Sequence, residues 1–298
     1  FFEIKARIGR VLHVKEKFII AATNPDDPTH WVARYFIRDK QPSRRVFYSN
    51  TLQNPFLPPS YIEQLKKDMH PKLAERLIYG KWVTLHGEKL YYGYETEQNY
   101  RDYSFDWKNT QGDVTLSFDF NIGQGKPMSS CAFLTDRYDD HHVFKTFAIE
   151  SARTEEALEH WDDYGLFANL REITICGDAS GRARDTRGKF SDWDIVGNYL
   201  KRNYPALVIK WRIPNANPAI RVRQNVVNSL CKDGNGKTRL LIYKDAKLLD
   251  EGLNGTKARK GSTYDEDDSF FAQHVVAALG YGLVPKIVKS SPINMGRY

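Results

Sequence analysis

The chain has 298 residues, 41% hydrophobic and 27% charged, with a net charge of +7; that balance lets a globular chain bury a core in one large or two medium domains and permits a polyanionic partner. No apolar run approaches ~20 residues, which excludes a membrane-spanning helix. Cys131, Cys176 and Cys231 are far apart and in no CxxC spacing, which excludes a zinc site and a disulfide frame and reads as reduced thiols of an intracellular protein.

FFEIKARIGR has neither an initiator Met nor the layout of a signal peptide, and reads as the continuation of a longer chain. Residues 17–23 (KFIIAAT) predict a buried strand, stopped by Asn24-Pro25. Residues 60–80 predict two helices, the first capped by Ser60 with Glu63 and the second opened by Pro71. Residues 86–112 are aromatic, polar and aperiodic, a crossing between two domains. From 113 the pattern is regular. VTLSFDF alternates, with Val114, Leu116, Phe118 and Phe120 on one face and Thr115, Ser117 and Asp119 on the other. SSCAFLT and HHVFKTFAIE predict a hairpin across DRYDD. Thr154 caps a helix carrying Glu155 and Glu156 in its first turn. The strand EITICGD, a helix opened by Ser191 and Asp194, the strand ALVIKWR, the helix PAIRVRQNVVNSLC and the strand TRLLIY follow. After the Gly/Lys-rich loop 252–263, DDSFFAQHVVAALGYGL predicts a last helix. Three meandering strands followed by alternating helix and strand give a mixed sheet with helices on its faces.

Asp119 ends the first of these strands and Asp178 the fourth. If those strands are parallel neighbours, both carboxylates emerge at one sheet edge. Two-metal phosphodiester cleavage needs such hard oxygen ligands around Mg²⁺ or Mn²⁺. The ordinary alternative is that strand-end aspartates start turns. A third acid is offered by Asp265, Glu266, Asp267 and Asp268 at the mouth of the last helix, where acids also favour the helix dipole in any protein. Residues 1–104 carry 17 Lys+Arg against 12 Asp+Glu, and the remainder 27 against 25. Any DNA surface in the second part must therefore come from local clusters. Arg182, Arg184, Arg187 and Lys189 follow Asp178, and Lys257, Arg259 and Lys260 precede the last helix. Both suit phosphate contacts that position DNA without reading sequence, or are solvated loops. Gly236-Lys237-Thr238 is not a Walker A motif, because Cys231 stands at its first Gly position and the segment runs from helix into strand; DGNGKT reads as a tight turn. His141 and His142 read as surface histidines. His274 reads as structural, though near the third acid.

Together these residues resemble the large terminase subunit of tailed bacteriophages, over essentially the whole chain. AATNPDDPTHWVARYF resembles the ATPase coupling segment, which implies that Thr23 and Asn24 sense the nucleotide state. SNTLQNPFLPPSYIEQLKKDMHPKLAERLIYGKWV resembles the stretch closing that domain. SFDFNIGQGKP and CGDASG resemble the two nuclease motifs, with Asp119 and Asp178 as metal ligands, and NPAIRVRQNVVNSL and RLLIYKDAKLL also fit. The resemblance implies an α/β chain. Residues 1–104 are then the C-terminal portion of a P-loop packaging ATPase domain with its linker, and 105–298 a ribonuclease H-like nuclease domain. It implies Mg²⁺ or Mn²⁺, with ATP only for a full-length member. The implied partners are double-stranded DNA, a portal protein and a small terminase subunit, in the host cell cytoplasm. Both Walker motifs would lie before Phe1, so this chain should not hydrolyse ATP by itself. Many relatives carry H-x-x-D-A-L on the last helix, where this chain has His274-Val275-Val276-Ala277-Ala278-Leu279; either Asp267 or Asp268 then supplies the ligand, or the position has changed and the lost ligand weakens or abolishes cleavage. A non-catalytic DNA-binding or scaffold module, or another ribonuclease H-like enzyme such as a junction resolvase, remains the alternative.

Overall fold

The computed structural model describes residues 2–8, 10, 14, 16–26, 28, 30–83, 89–121, 126–183 and 190–288. They fall into two compact units, one of Phe1–Pro55 with Glu75–Thr84, the other of Phe56–Ala74 with Leu85–Tyr298.

The first unit holds helix α1 (Phe2–Ile8), a π-helical segment at Ala33–Arg38 and a 3₁₀ turn at Thr51–Gln53. That turn is closed reciprocally: Asn50 accepts from the Gln53 amide and Gln53 from the Asn50 amide. The run 17–23 departs from expectation. It forms no strand, and Phe18 and Ile20 are 73% and 85% exposed. An apolar strand is buried only where a neighbouring strand and a covering layer meet it, and neither does so among the described residues. Just beyond, Arg76 binds Asp26 at 2.9 Å and donates to the Val83 carbonyl at 2.7 Å, tying the TNPD segment to the close of the unit.

Helix α2 (Pro59–Asp68) begins one residue before Ser60, so the expected Ser60–Glu63 cap is not formed. Pro59 takes the first helical position, where its fixed φ and missing N–H cost nothing. Helix α3 (Pro71–Leu77) opens on its proline as its sequence predicts. Next come α4 (Thr96–Asn99), β1 (Tyr100–Arg101), β2 (Asp113–Asp119), β3 (Pro127–Thr135), β4 (His141–Glu150), α5 (Thr154–Asp163), β5 (Glu172–Gly177) and α6 (Asp192–Asn203). The chain continues through β6 (Val208–Trp211), α7 (Ile220–Cys231), β7 (Leu240–Tyr243), α8 (Lys247–Gly255) and α9 (Gln273–Ile287). Ser191 and Asp194 cap α6 reciprocally, as expected. Thr154 does not cap α5: Arg153 is the cap residue, Glu156 accepts its amide, and the Thr154 hydroxyl turns to Asp192. DGNGKT is the tight turn its sequence predicts, closed by the Gly236 amide on the Asp233 carbonyl.

The strands form one sheet in the order β1-β7-β4-β3-β2-β5-β6. β2, β3 and β4 meander antiparallel, while β5 lies parallel to β2 and β6 parallel to β5. Each face carries a core. Val114, Leu116 and Phe118 of β2 pack with Leu158 and Trp161 of α5 and Val196 and Leu200 of α6. On the other side Cys131, Phe133 and Ile242 pack under α7, α8 and α9. Both faces of β2 are therefore buried, including the polar face with Thr115 and Ser117. Small residues of α9 make this possible. Ser117 donates to the Ala278 carbonyl at 2.6 Å, and a Cβ on Gly282 would lie 3.0 Å from that of Ser117. Two histidines read as surface residues differ: His141 is buried, and His142 is half-buried under the stacked ring of Phe105. They lie on β4, which has β3 on one side and β7 on the other, so their strand is interior to the sheet.

Candidate metal centre

The register of the sheet brings the two aspartates together. β2 and β5 pair in parallel with Phe118 opposite Gly177, so Asp119 and Asp178 leave adjoining strand ends side by side. The Asp178 amide donates to the Phe118 carbonyl at 3.0 Å. Gly177 permits this approach: its φ is +150°, and an added Cβ would meet the Phe118 carbonyl oxygen at 2.4 Å. Asp119 and Asp178 are 6% and 7% exposed.

Helix α9 completes the centre by matched spacing. From Ser117 to Asp119 the strand advances about 6.7 Å; from Ala278 back to His274 the helix advances about 6 Å. The contact of Ser117 with Ala278 therefore sets His274 against Asp119, with Nδ1 3.1 Å from Oδ2. Nε2 of His274 lies 3.1 Å from the Asp268 carbonyl, which only accepts, so Nε2 carries the hydrogen. Metal-binding histidines are held in the same way, with the second ring nitrogen donating to a carbonyl. Asn121 donates to Asp119 Oδ2 at 2.7 Å. Asp119 Oδ1 has no hydrogen bond among the described residues. Asp178 Oδ1 accepts from the Ser180 amide at 2.7 Å and from Asn217 at 2.6 Å, and Oδ2 from the Ser180 hydroxyl at 2.6 Å. Carboxylate oxygens such as these two are the hard donors that suit Mn²⁺ or Mg²⁺. No three His, Cys, Asp or Glu side chains converge as a preformed ion site among the described residues.

The acids before α9 stand differently. The helix starts at Gln273 with no acid in its first turn. Asp267 accepts from Ser269, which holds its carboxyl below the usual range. The Asp268 carboxylate pairs with Lys126 at 2.7 Å and Arg259 at 2.9 Å, and its pKa is lowered, chiefly by the Lys126 hydrogen bond. Neither carboxylate bonds to Asp119 or Asp178; Asp268 is linked to the centre through its carbonyl. Glu266 is buried and accepts from Tyr91, Gln224 and Gln273. Among the basic residues, Arg182 is engaged with the carbonyls of Ile213 and Pro214. Arg184, Arg187 and Lys189 lie outside the described residues. Lys257, Arg259 and Lys260 are exposed, and Lys257 bridges to Lys89 through the backbone.

Sequence reasoning missed Asn121, Ser180 and Asn217. Asn121 stands two residues after Asp119, a spacing that carries a signal. Asn217 lies in a loop after β6, remote from Asp178 in sequence, and gives none.

Strand order and strand-end carboxylates together define a ribonuclease H-like fold, a mixed sheet with flanking helices. No protein-family model matches the chain, and no curated protein matches it. Solved structures do. The large terminase of a thermophilic bacteriophage, in complex with ATP-γ-S, aligns with a TM-score of 0.61 at 13% identity, over 95% of this chain and 66% of that one. Its complex with ADP gives 0.59 at 14% identity, over 88% and 60%. The nuclease domain of the bacteriophage SPP1 large terminase, with bound Mn, gives 0.44 at 8% identity, over 63% and 96%. The chain thus has the fold of a phage large terminase over most of its length, and it spans about two thirds or less of the full-length terminases it matches. Among the described residues no helix is long and apolar enough to cross a membrane.

Proposed function

We propose that this chain is the DNA-cutting part of a bacteriophage packaging motor, a Mg²⁺- or Mn²⁺-dependent endonuclease that cuts concatemeric double-stranded DNA at the start and end of packaging. The observation that carries the reading is the convergence of Asp119 and Asp178 on adjoining parallel strand ends, each held by its own hydrogen bonds. Residues 1–104 are the closing portion of the ATPase domain with its linker, in which Thr23 and Asn24 couple to the nucleotide, and 105–298 are the nuclease. The motor's ATP use, portal protein and small terminase subunit belong to the full-length protein, acting in the host cytoplasm.

A divalent cation, when bound, supplies Lewis acidity toward the phosphate and a water acidic enough to attack it. Asp119 and Asp178 are the residues that hold it. Asn121 orients the first carboxylate, and Ser180 and Asn217 the second. The third position is filled from the entry to α9. His274 is already against Asp119 and is the nearer donor; Asp268, or Asp267 behind it, reaches the centre only by releasing its present partners. Lys257, Arg259 and Lys260, with Arg182, Arg184, Arg187 and Lys189 that follow Asp178 in sequence, hold the phosphate backbone. Arg182 does so only by exchanging its carbonyl partners.

The test is plasmid nicking with Mn²⁺. Wild-type protein is expected to nick, and Asp119→Ala and Asp178→Ala to lose nicking while still binding DNA. Mutants that cut as fast as the parent would remove the centre. A second reading, a DNA-binding scaffold without cleavage, is favoured by one observation: Ala277, three residues after His274 on α9, carries no carboxylate. That reading expects salt-sensitive binding and no nicking in any metal.

A further inference from the structure

We propose that Arg223 is a seat for a phosphate of the DNA strand held at Asp119 and Asp178, with Tyr281 as its floor. The inference rests on the nuclease reading and adds a substrate contact to it.

Arg223 lies on α7 where that helix packs on α9, and it is 4% exposed. Its stem crosses α9 at Gly280, where an added Cβ would lie 3.2–3.5 Å from its Cβ, Cγ and Cδ, a close passage between the helices. The guanidinium carbon then stands 4.7 Å from the centre of the Tyr281 ring. His274, Ala277 and Tyr281 follow one another at helical spacing on one face of α9. Burial pushes the Tyr281 phenol pKa up, and the charges of Asp119 and Asp178 add to the shift while Arg223 opposes it. Tyr281 therefore stands in the field of both carboxylates. From His274 to Tyr281 is about 10 Å along the helix, or about three nucleotides at a rise of ~3.4 Å.

The guanidinium is under-used. Its Nε and Nη1 have no partner among the described residues. Its Nη2 reaches Glu266 only at 3.5 Å, at the limit of a hydrogen bond. Glu266 does not need it, since Tyr91 donates at 2.6 Å, Gln273 at 2.6 Å and Gln224 at 3.1 Å. A buried cation with idle donors is costly. A planar fork of donors fits the paired oxygens of a phosphate. Tyr281, under the guanidinium, shares a face of α9 with His274, which stands against Asp119. Two carboxylates there repel a DNA strand, and Arg223 is the cation beside them.

The experiment measures binding of a short blunt DNA duplex without divalent metal, at several salt concentrations. In Arg223→Gln the slope of log K against log salt is expected to shrink by about 0.9, one phosphate contact. Arg223→Lys keeps the charge and is expected to keep the slope. With Mn²⁺, nicking by Arg223→Gln is expected to fall at least about 100-fold, with the half-saturating Mn²⁺ unchanged. In wild-type protein the Nε–H NMR signal of Arg223 is expected to shift on adding the duplex, which decides the matter even if Arg223→Gln does not fold. An unmoved signal, or a wild-type slope in folded Arg223→Gln, overturns the proposal and leaves Arg223 a buried counter-ion. If wild-type protein never nicks yet the slope shrinks, the cleavage reading fails and the phosphate seat stands.

Discussion

His274 shows how much one side chain can carry when both its ring nitrogens are accounted for. Nε2–H donates to the Asp268 carbonyl, so Nδ1 is left facing Asp119 Oδ2, two electron-rich atoms 3.1 Å apart. Asn121 meets both, lying 3.2 Å from Nδ1. A cation placed between them would take both lone pairs. Asn217 does comparable work at Asp178 from outside the site: it accepts from the Ala179 amide at 2.8 Å and donates to Asp178, fixing the turn and the carboxylate together. Groups that orient a metal ligand typically govern metal affinity 10–100-fold. Asn217→Ala is therefore expected to raise the Mn²⁺ needed for half-maximal nicking by about that factor, with duplex binding unchanged. His274→Ala is expected to raise it more, and Asp268→Asn less than either. A metal titration in which Asp268→Asn has the largest effect would move the third position from His274 to Asp268.

Among the elements, the turn from β5 into the 3₁₀ segment Ala179–Arg182 decides whether the two carboxylates meet. Gly177→Ala would force φ out of the left-handed region or drive a methyl into the Phe118 carbonyl. Strain of this kind costs about 1–3 kcal/mol before any clash is counted. Gly236 also has positive φ, at +80°, but a Cβ there meets nothing within 4 Å. Gly236→Ala is thus expected to cost about 1 kcal/mol and leave nicking intact, whereas Gly177→Ala is expected to cost more and to abolish nicking even in the folded fraction. Chemical denaturation and plasmid nicking of the pair separate backbone strain from displacement of Asp178. The strands and the place of both aspartates at their ends were legible in the sequence, because alternation in VTLSFDF and the apolar run of EITICG report burial directly. The start of α9 was not. DDSFF reads as a helix entry rich in acids, yet residues 268–272 turn so that the Asp268 carbonyl meets His274 while its carboxylate pairs with Lys126, a partner remote in sequence. Local pattern likewise made 17–23 a strand, but a ladder needs a partner that pattern cannot supply.

At the scale of the whole molecule, burial of basic groups links stability to acidity. Burial lowers the His141 pKa to about 3, with Lys286 and Arg239 adding to the effect. His70 is lowered to about 4 by burial, then by Lys72 and Lys232. Each ring is neutral in the folded chain and takes a proton on unfolding below its ordinary value of 6.5. The unfolded state thus binds more protons between pH about 6.5 and 3, and stability rises with pH across that window. The stabilisation is fully present above pH about 6.5 and is lost as pH falls toward the folded values. Asp136 acts in the same sense lower down. Burial opposes its charge, but the amides of Asp140 and Tyr138 and the His142 ring more than offset this and depress its pKa. His141 accounts for the deepest part of the slope, since its Nε2 has no partner among the described residues to receive a proton's charge. Thermal melts of wild type are expected to lose stability steeply from pH 6.5 to 4, by up to several kcal/mol from the two rings at about 1.4 kcal/mol per pKa unit. His141→Gln cannot titrate and is expected to melt lower near neutrality but with a flatter pH dependence. A variant whose slope matches wild type would show that His141 is already protonated in the folded chain.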